Sequence, residues 1–297
     1  MYNEITKNKR KTVLLIAIFA VVIILLGWAF GMYWGDANIG IIIATIVATI
    51  MVLVGYYKGD KVSLLTAGAK PATREDNFEL YTYVENLSIA AGVPMPKVYV
   101  IDDPAPNAFA TGRDPEHASI AVTTGLLKVL ERTELEGVLA HELSHIKNFD
   151  IRVMTLVVVL VGVIILLSDL MMRSFLYGRR GSSDRNSGQI AAVLMVVGIV
   201  LAILSPLFAE LIKLAVSRSR EHLADASAAL LTRYPEGLAK ALEKIAAIDR
   251  PLKKANHATA HLFIANPFDP HKKKKFSKLF STHPPIEERI NKLRDMI

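Results

Sequence analysis

The sequence predicts an α+β chain, mostly helical, with about four membrane-crossing helices beside a small β-sheet. Three observations carry that expectation. Of 297 residues 52% are hydrophobic and yet 21% are charged, so the apolar residues must be concentrated. They fall in four blocks, Val13–Phe30, Ile39–Tyr57, Val153–Met171 and Ile190–Leu211, each of about the length a helix needs to cross roughly 30 Å of hydrocarbon. Between and after the blocks the chain switches to amphipathic helical spacing and short β-branched runs.

Composition narrows the partners. The net charge is +7, which suits anionic lipid headgroups. No nucleic-acid-reading motif accompanies it, so a bilayer is the expected partner and nucleic acid is not. Cysteine is absent, which removes disulfides, thiolate metal sites and cysteine nucleophiles together and fits a reducing compartment.

The elements follow in order. Lys7, Lys9, Arg10 and Lys11 precede the first block, and Lys58, Lys61, Lys70 and Arg74 follow the second. The positive-inside rule then puts both flanks in the cytoplasm, as expected of a multi-pass protein of the cell membrane. The first block reads as an uncleaved anchor, since no small-residue cleavage site follows it. Phe78–Ala90 is amphipathic through Leu80, Val84 and Leu87, and Gly92 ends it. Lys97–Ile101, Asn107–Thr111 and Ser119–Thr123 read as strands. Arg132–Asn148 reads as a helix with Thr133 as N-cap and Glu136 completing a capping box. The loop between the third and fourth blocks is basic, with Arg173, Arg179, Arg180 and Arg185, against the charge rule for an outer loop; two full spans are still expected. Helices at Leu211–Leu231, Glu236–Ile248 and Ile286–Met296 follow, with a basic loop around Lys272–Lys275. Four segments result: a hairpin at 1–57, a soluble part at 58–152, a second hairpin at 153–212 and a second soluble part at 213–297.

Chemistry concentrates in His141-Glu-Leu-Ser-His145. Residues four apart lie one above the other on a helix, so two imidazoles can converge on one zinc ion. Glu142 then stands beside the metal, able to act as general base toward a water. A catalytic zinc needs a third protein ligand. Downstream, Glu221 and Asp225 again share one helical face. Glu221 could supply the carboxylate, and Asp225 could accept a hydrogen bond from a ligand imidazole. The plain alternative is a pair of surface acids held by Arg218 and Arg220. His222 is a rival ligand about 100° away around the helix. His257 and His261 repeat the spacing without a glutamate and read as surface histidines. Two spans between His141 and Glu221 would return the chain to the same side of the membrane, as a shared site requires.

Four motifs in order, His141-Glu-Leu-Ser-His145-Ile-Lys-Asn-Phe-Asp150, Ser217-Arg-Ser-Arg-Glu221-His-Leu-Ala-Asp225, Asn107-Ala-Phe-Ala-Thr-Gly112 and Ser281-Thr-His283-Pro-Pro-Ile-Glu-Glu-Arg289, resemble the HtpX heat-shock membrane proteases. These belong to the M48 zinc metallopeptidases and are related to the CAAX prenyl protease. The resemblance implies a zincin-like metalloprotease domain holding one Zn2+ and cleaving unfolded or damaged membrane proteins at a cytoplasmic active site. It implies that Asn107, Ala108, Phe109 and Ala110 form an edge strand to which substrate backbone adds, with Asn107 holding a peptide group. It places His283 near the metal or the oxyanion, with Arg289 supporting it. Two other readings remain: a CAAX-type prenyl protease, and a non-catalytic zinc-binding membrane adaptor.

Overall fold

Two long helices open the chain, α1 (Tyr2–Trp34) and α2 (Ala37–Ala67), joined by a turn that Asp36 caps by accepting hydrogen bonds from the Asn38 and Ile39 amides. The computed structural model describes residues 2–162, 218–248, 250–254, 258–268 and 284–296. Helix α1 encloses the first apolar block and continues through its basic flank, since lysine and arginine are good helix formers. Helix α2 encloses the second block but does not stop at Tyr57. It runs ten residues further, through a stretch the sequence assigned to the soluble part, and ends at Gly68, whose φ of 72° is the left-handed conformation that glycine adopts without strain. The two helices pack backbone to backbone: a β-carbon on Gly40 would collide with the Gly27 carbonyl and the Gly31 backbone.

The outward face of α2 is apolar, with Ile39, Ile42, Ile43, Ile46, Ile50 and Leu53 all exposed. Among the described residues, α2 is the one helix long and apolar enough to cross a membrane. The expectation of four spans is supported to that extent; residues 163–217, which hold the second half of the third block and all of the fourth, lie outside the described residues, as do His257, the Lys272–Lys275 loop and His283.

A four-stranded sheet follows, made of β1 (Ala69–Pro71), β2 (Lys97–Ile101), β3 (Ala108–Gly112) and β4 (Ala118–Thr123) in the order β1-β2-β4-β3. β2 and β4 run parallel, and the outer strands pair antiparallel. Strand β3 is thus an edge, yet all five of its residues are buried. Helix α3 (Phe78–Ala91) precedes β2, a short helix α4 (Thr124–Val129) follows β4, and α5 (Arg132–Lys147) crosses the sheet against β3. The N-terminus of α5 departs from expectation. Glu131 is the N-cap, and its capping box is completed by Glu134 rather than by Thr133 with Glu136. The helix begins at Arg132 as expected, but its cap lies one residue before it, at Glu131, two residues upstream of Thr133.

After α5 the chain turns at Phe149, whose φ is 59°, and becomes helical again over residues 150–162, here α6. Helices α7 (Arg218–Thr232), α8 (Pro235–Ala247) and α9 (Ile286–Arg294) pack with α5 beside the sheet. The core around them joins Leu80 and Val84 of α3, Val98, Ile120 and Val122 of the sheet, Leu139 and Leu143 of α5, and Leu238 and Leu242 of α8. A second cluster joins Leu15 and Phe19 of α1, Ala44 and Ala48 of α2, and Val153, Leu156, Val157 and Leu160 of α6.

Candidate metal centre

Helix α5 is unusual for its composition: twelve of its sixteen residues are buried, including His141, Glu142 and His145. It is covered by β3 on one side and by α3, α7 and α8 on others, so its histidines face protein rather than water. Helix α7 presents Glu221 to them. The Nε2 atoms of His141 and His145 are 3.2 Å apart. Glu221 Oε2 lies 3.8 Å from His141 Nε2, and Glu221 Oε1 lies 3.5 Å from His145 Nε2. Bonds of about 2.0–2.2 Å at tetrahedral angles would set such donor atoms about 3.4 Å apart. The three residues therefore fit one ion at zinc's bond lengths.

The outer partners fix which nitrogens are bare. His141 Nδ1 is 2.9 Å from Asp225 Oδ1, and His145 Nδ1 is 3.0 Å from Asp150 Oδ2. Each ring thus donates its Nδ1 proton to a carboxylate, and in the neutral form keeps a lone pair on Nε2. Two lone pairs and a carboxylate facing one another in a buried space repel unless a cation stands between them. Without a metal that cation is a proton. Burial alone would depress His145, but the Asp150 hydrogen bond and the charges of Glu221, Asp150 and Glu142 outweigh it and raise its pKa to about 9. Burial lowers His141, and the Arg289 and His145 charges act with it, against the Asp225 bond.

Glu142 turns the other way, toward β3. Burial raises its pKa to about 7, with the Glu221 charge adding to this while His145, the Ala110 N–H and Arg289 pull it down. The Ala110 amide donates to the Glu142 carboxyl, so the base is aimed at the edge strand. Asp225 is held by Arg289, which donates Nε–H to Oδ2 at 2.9 Å and Nη2–H to Oδ1 at 2.7 Å. Burial would raise Asp225, but the Arg289 charge and the His141 bond bring it to about 2.

The structure therefore brings together His141, Glu142, His145, Glu221, Asp225 and Arg289. Arg289 is wholly buried and acts on the Asp225 carboxylate, with its Nη1 3.8 Å from Glu221 and hydrogen-bonded to the Ile264 carbonyl. His222 points away from the cluster to Glu288 at 3.1 Å. His261 is buried, not on the surface, with Nε2 3.0 Å from the Met154 carbonyl. Arg220, Glu221 and Asp225 are all buried, so the acids are not a surface pair, and Arg220 donates to Asp150 at 3.0 Å.

The edge strand carries its own cover. The Asn107 carboxamide donates to the Ala265 carbonyl at 3.0 Å and accepts from the Ala265 amide at 3.3 Å. The peptide group it holds is this chain's own. The Ile264 amide donates to the Ala108 carbonyl, and the Phe109 ring packs edge-on to Phe263. Ala108 thus shares its outer edge with a loop, whereas Ala110 lies directly over Glu142. Sequence reasoning gave no role to Asp150 or Asn8, and considered Arg220 only as a surface partner of Glu221 and Asp225. Asp150 had a signal, an acid five residues after His145, just past the helix end; Asn8 had none.

The profile of peptidase family M48 matches residues 74–297. The chain is 50% identical to the "Protease HtpX homolog" of Dictyoglomus turgidum over 99% of its own length and 94% of that protein's. It is 46% identical to the protein of the same name in Caldanaerobacter subterraneus subsp. tengcongensis, covering 100% of this chain and 98% of the relative. A third, from Ligilactobacillus salivarius, is 46% identical with both chains fully covered. The crystal structure of S. mikatae Ste24p shares the fold, with a TM-score of 0.50 and 19% identity across 99% of this chain and 67% of that one.

Proposed function

This chain belongs to peptidase family M48 and is a membrane metalloprotease, and from that premise we propose that it is an endopeptidase that uses zinc at His141, His145 and Glu221, with Glu142 as general base. The observation that carries the reading is the mutual separation of the donor atoms of His141, His145 and Glu221, which suits one tetrahedral ion held by three protein ligands. A structural zinc would fill all four positions and need no base, which disfavours the adaptor reading. Zinc, when bound, lowers the pKa of a water toward neutrality and polarises the scissile carbonyl. Glu142 would take a proton from that water and return it to the leaving amine; in the metal-free site burial lifts its pKa to about 7, and a bound cation beside it would favour the charged, basic form. The Asp225 and Asp150 carboxylates hold the two rings with Nε2 inward. Substrate backbone adds to β3 at Ala110, beyond the point where Ile264 already pairs.

We further propose that the protein is multi-pass, with α1, α2 and the two later apolar blocks as spans and the catalytic body in the cytoplasm, from the basic flanks of α1 and α2. Unfolded membrane proteins are the expected substrates, because β-addition reads backbone before side chain and needs an extended segment.

Purified protein is expected to bind one zinc and to cleave an unfolded protein such as casein. Glu142→Gln should keep the metal and lose about 10²–10⁴-fold in hydrolysis. Undiminished hydrolysis by that variant refutes the base assignment, and cleavage confined to prenylated C-terminal peptides replaces the substrate class.

A further inference from the structure

Asn8 lies near the start of α1, far in sequence from every residue of the metal centre, and is wholly buried. Its Nδ2 donates to Asp150 Oδ1 at 2.7 Å and to the Asn148 carbonyl at 2.9 Å. Its Oδ1 accepts from Arg220 Nη1 at 3.2 Å, while the same Nη1 donates to Asp150 Oδ1 at 3.0 Å. The other oxygen of Asp150 receives the His145 Nδ1 proton. A hydrogen-bonded path therefore runs from the foot of the first helix, through one carboxylate, to the back of a ring whose front nitrogen faces Glu221.

Chemistry explains why an asparagine stands there. Arg220 already neutralises Asp150, so a second cation would be surplus charge in a buried space, and an acid would repel the carboxylate. A carboxamide offers two N–H groups and one carbonyl, and all three find partners. A second contact holds the same turn: Lys9, the next residue of α1, has its Nζ 5.1 Å from the centre of the Phe149 ring. Phe149 is the left-handed residue after which Asp150 meets His145, a conformation that a non-glycine residue adopts only against a steric cost.

We propose that Asn8 is a positioning residue for the metal centre, orienting His145 through Asp150 and so making the foot of α1 part of the catalytic apparatus. The proposal rests on the metallopeptidase reading. Removing the partner directly behind a ligand lowers metal affinity by about 10–100-fold; Asn8 stands one bond further back, so a loss of about tenfold, the low end of that range, is the expected result for Asn8→Leu in the purified full-length protein, measured by zinc competition against a chelator. The visible spectrum of the cobalt-substituted protein should change with it, because the angle of one imidazole changes. Thr12→Val is the control: Thr12 is buried one turn along the same helix, and its hydroxyl donates to the Asn8 backbone carbonyl rather than to Asp150. It should leave zinc affinity and the cobalt spectrum as in wild type. If Asn8 acts through Asp150, Asn8→Leu combined with Asp150→Asn binds zinc no more weakly than Asp150→Asn alone. Should Asn8→Leu fail to fold, Asn8→Ala carries the same comparison. Wild-type affinity and spectrum in the Asn8 variant, or fully additive losses in the double variant, overturn the proposal. Wild-type protein that takes up no divalent metal overturns the underlying reading instead.

Discussion

Helix α5 and the α1–α2 hairpin are built as opposites. Helix α5 hides charged and polar side chains inside protein and satisfies each from a neighbour: Glu142 from Ala110, His141 from Asp225, His145 from Asp150. The hairpin hides glycine and alanine at its seam and turns isoleucine outward. A soluble protein could not afford the second arrangement, and lipid offers nothing to the first. The difference teaches that stability at the metal centre rests on paired charges, whereas in the hairpin it rests on backbones that can approach closely.

The contrast can be broken by removing one charge. Arg289→Met leaves Asp225 buried without its main counter-ion, and breaking a buried pair typically costs about 3–5 kcal/mol. The expected outcome is a large fall in the denaturation midpoint together with loss of zinc; a variant as stable as wild type would show that the charges at the centre do not carry its stability. In the hairpin, Gly40→Leu forces α2 away from the Gly27 carbonyl. Overpacking of this kind costs about 1–3 kcal/mol, and zinc affinity should hardly change, because the seam is remote from Asn8. A matching loss of zinc would merge the two regions into one. The mildest test is pH. In the metal-free site His145 has a pKa raised to about 9, so below that value zinc must displace a proton from the nitrogen it needs. Apparent zinc affinity should therefore rise by about tenfold per unit as pH increases through neutrality, and level off above the His145 pKa. A flat profile between pH 6 and 8 would remove the proton from the account.

How much could be read beforehand follows from the same contrast. Where a helix has one wet face, spacing located it well: the amphipathic stretch from Phe78 and the run from Glu236 both lie within a residue or so of α3 and α8. Three of the four strands were found, β2 and β4 because valine, isoleucine and tyrosine gather there; β3 is displaced by one residue at both ends, β4 begins one residue earlier, and the short β1 was not foreseen. Helix α5 was found through its motif, since burial on every side erases hydrophobic periodicity. The length of α2 was missed because the sequence reading followed hydropathy, while a helix continues for as long as its backbone bonds are made, here to Ala67. Glu221 and Asp225 were legible because both lie on one turn pattern with a plausible partner. Asn8 was not, because an asparagine among lysines carries no local sign of a carboxylate 142 positions away. The self-pairing of Ala108 with Ile264 was equally silent, being a contact between a strand and a loop with no shared pattern.

The unbroken course of α2 has a mechanical consequence. Its 31 residues make a rod of about 46 Å, longer than the roughly 30 Å of oil it would cross, and the surplus ends at Gly68, immediately before β1. If α2 spans the bilayer as proposed, a lean imposed by a thinner bilayer would reach the first strand and, through β2 and β4, the edge beside Glu142. The elevation and pitch of that edge over the lipid would then depend on the membrane as well as on the protein.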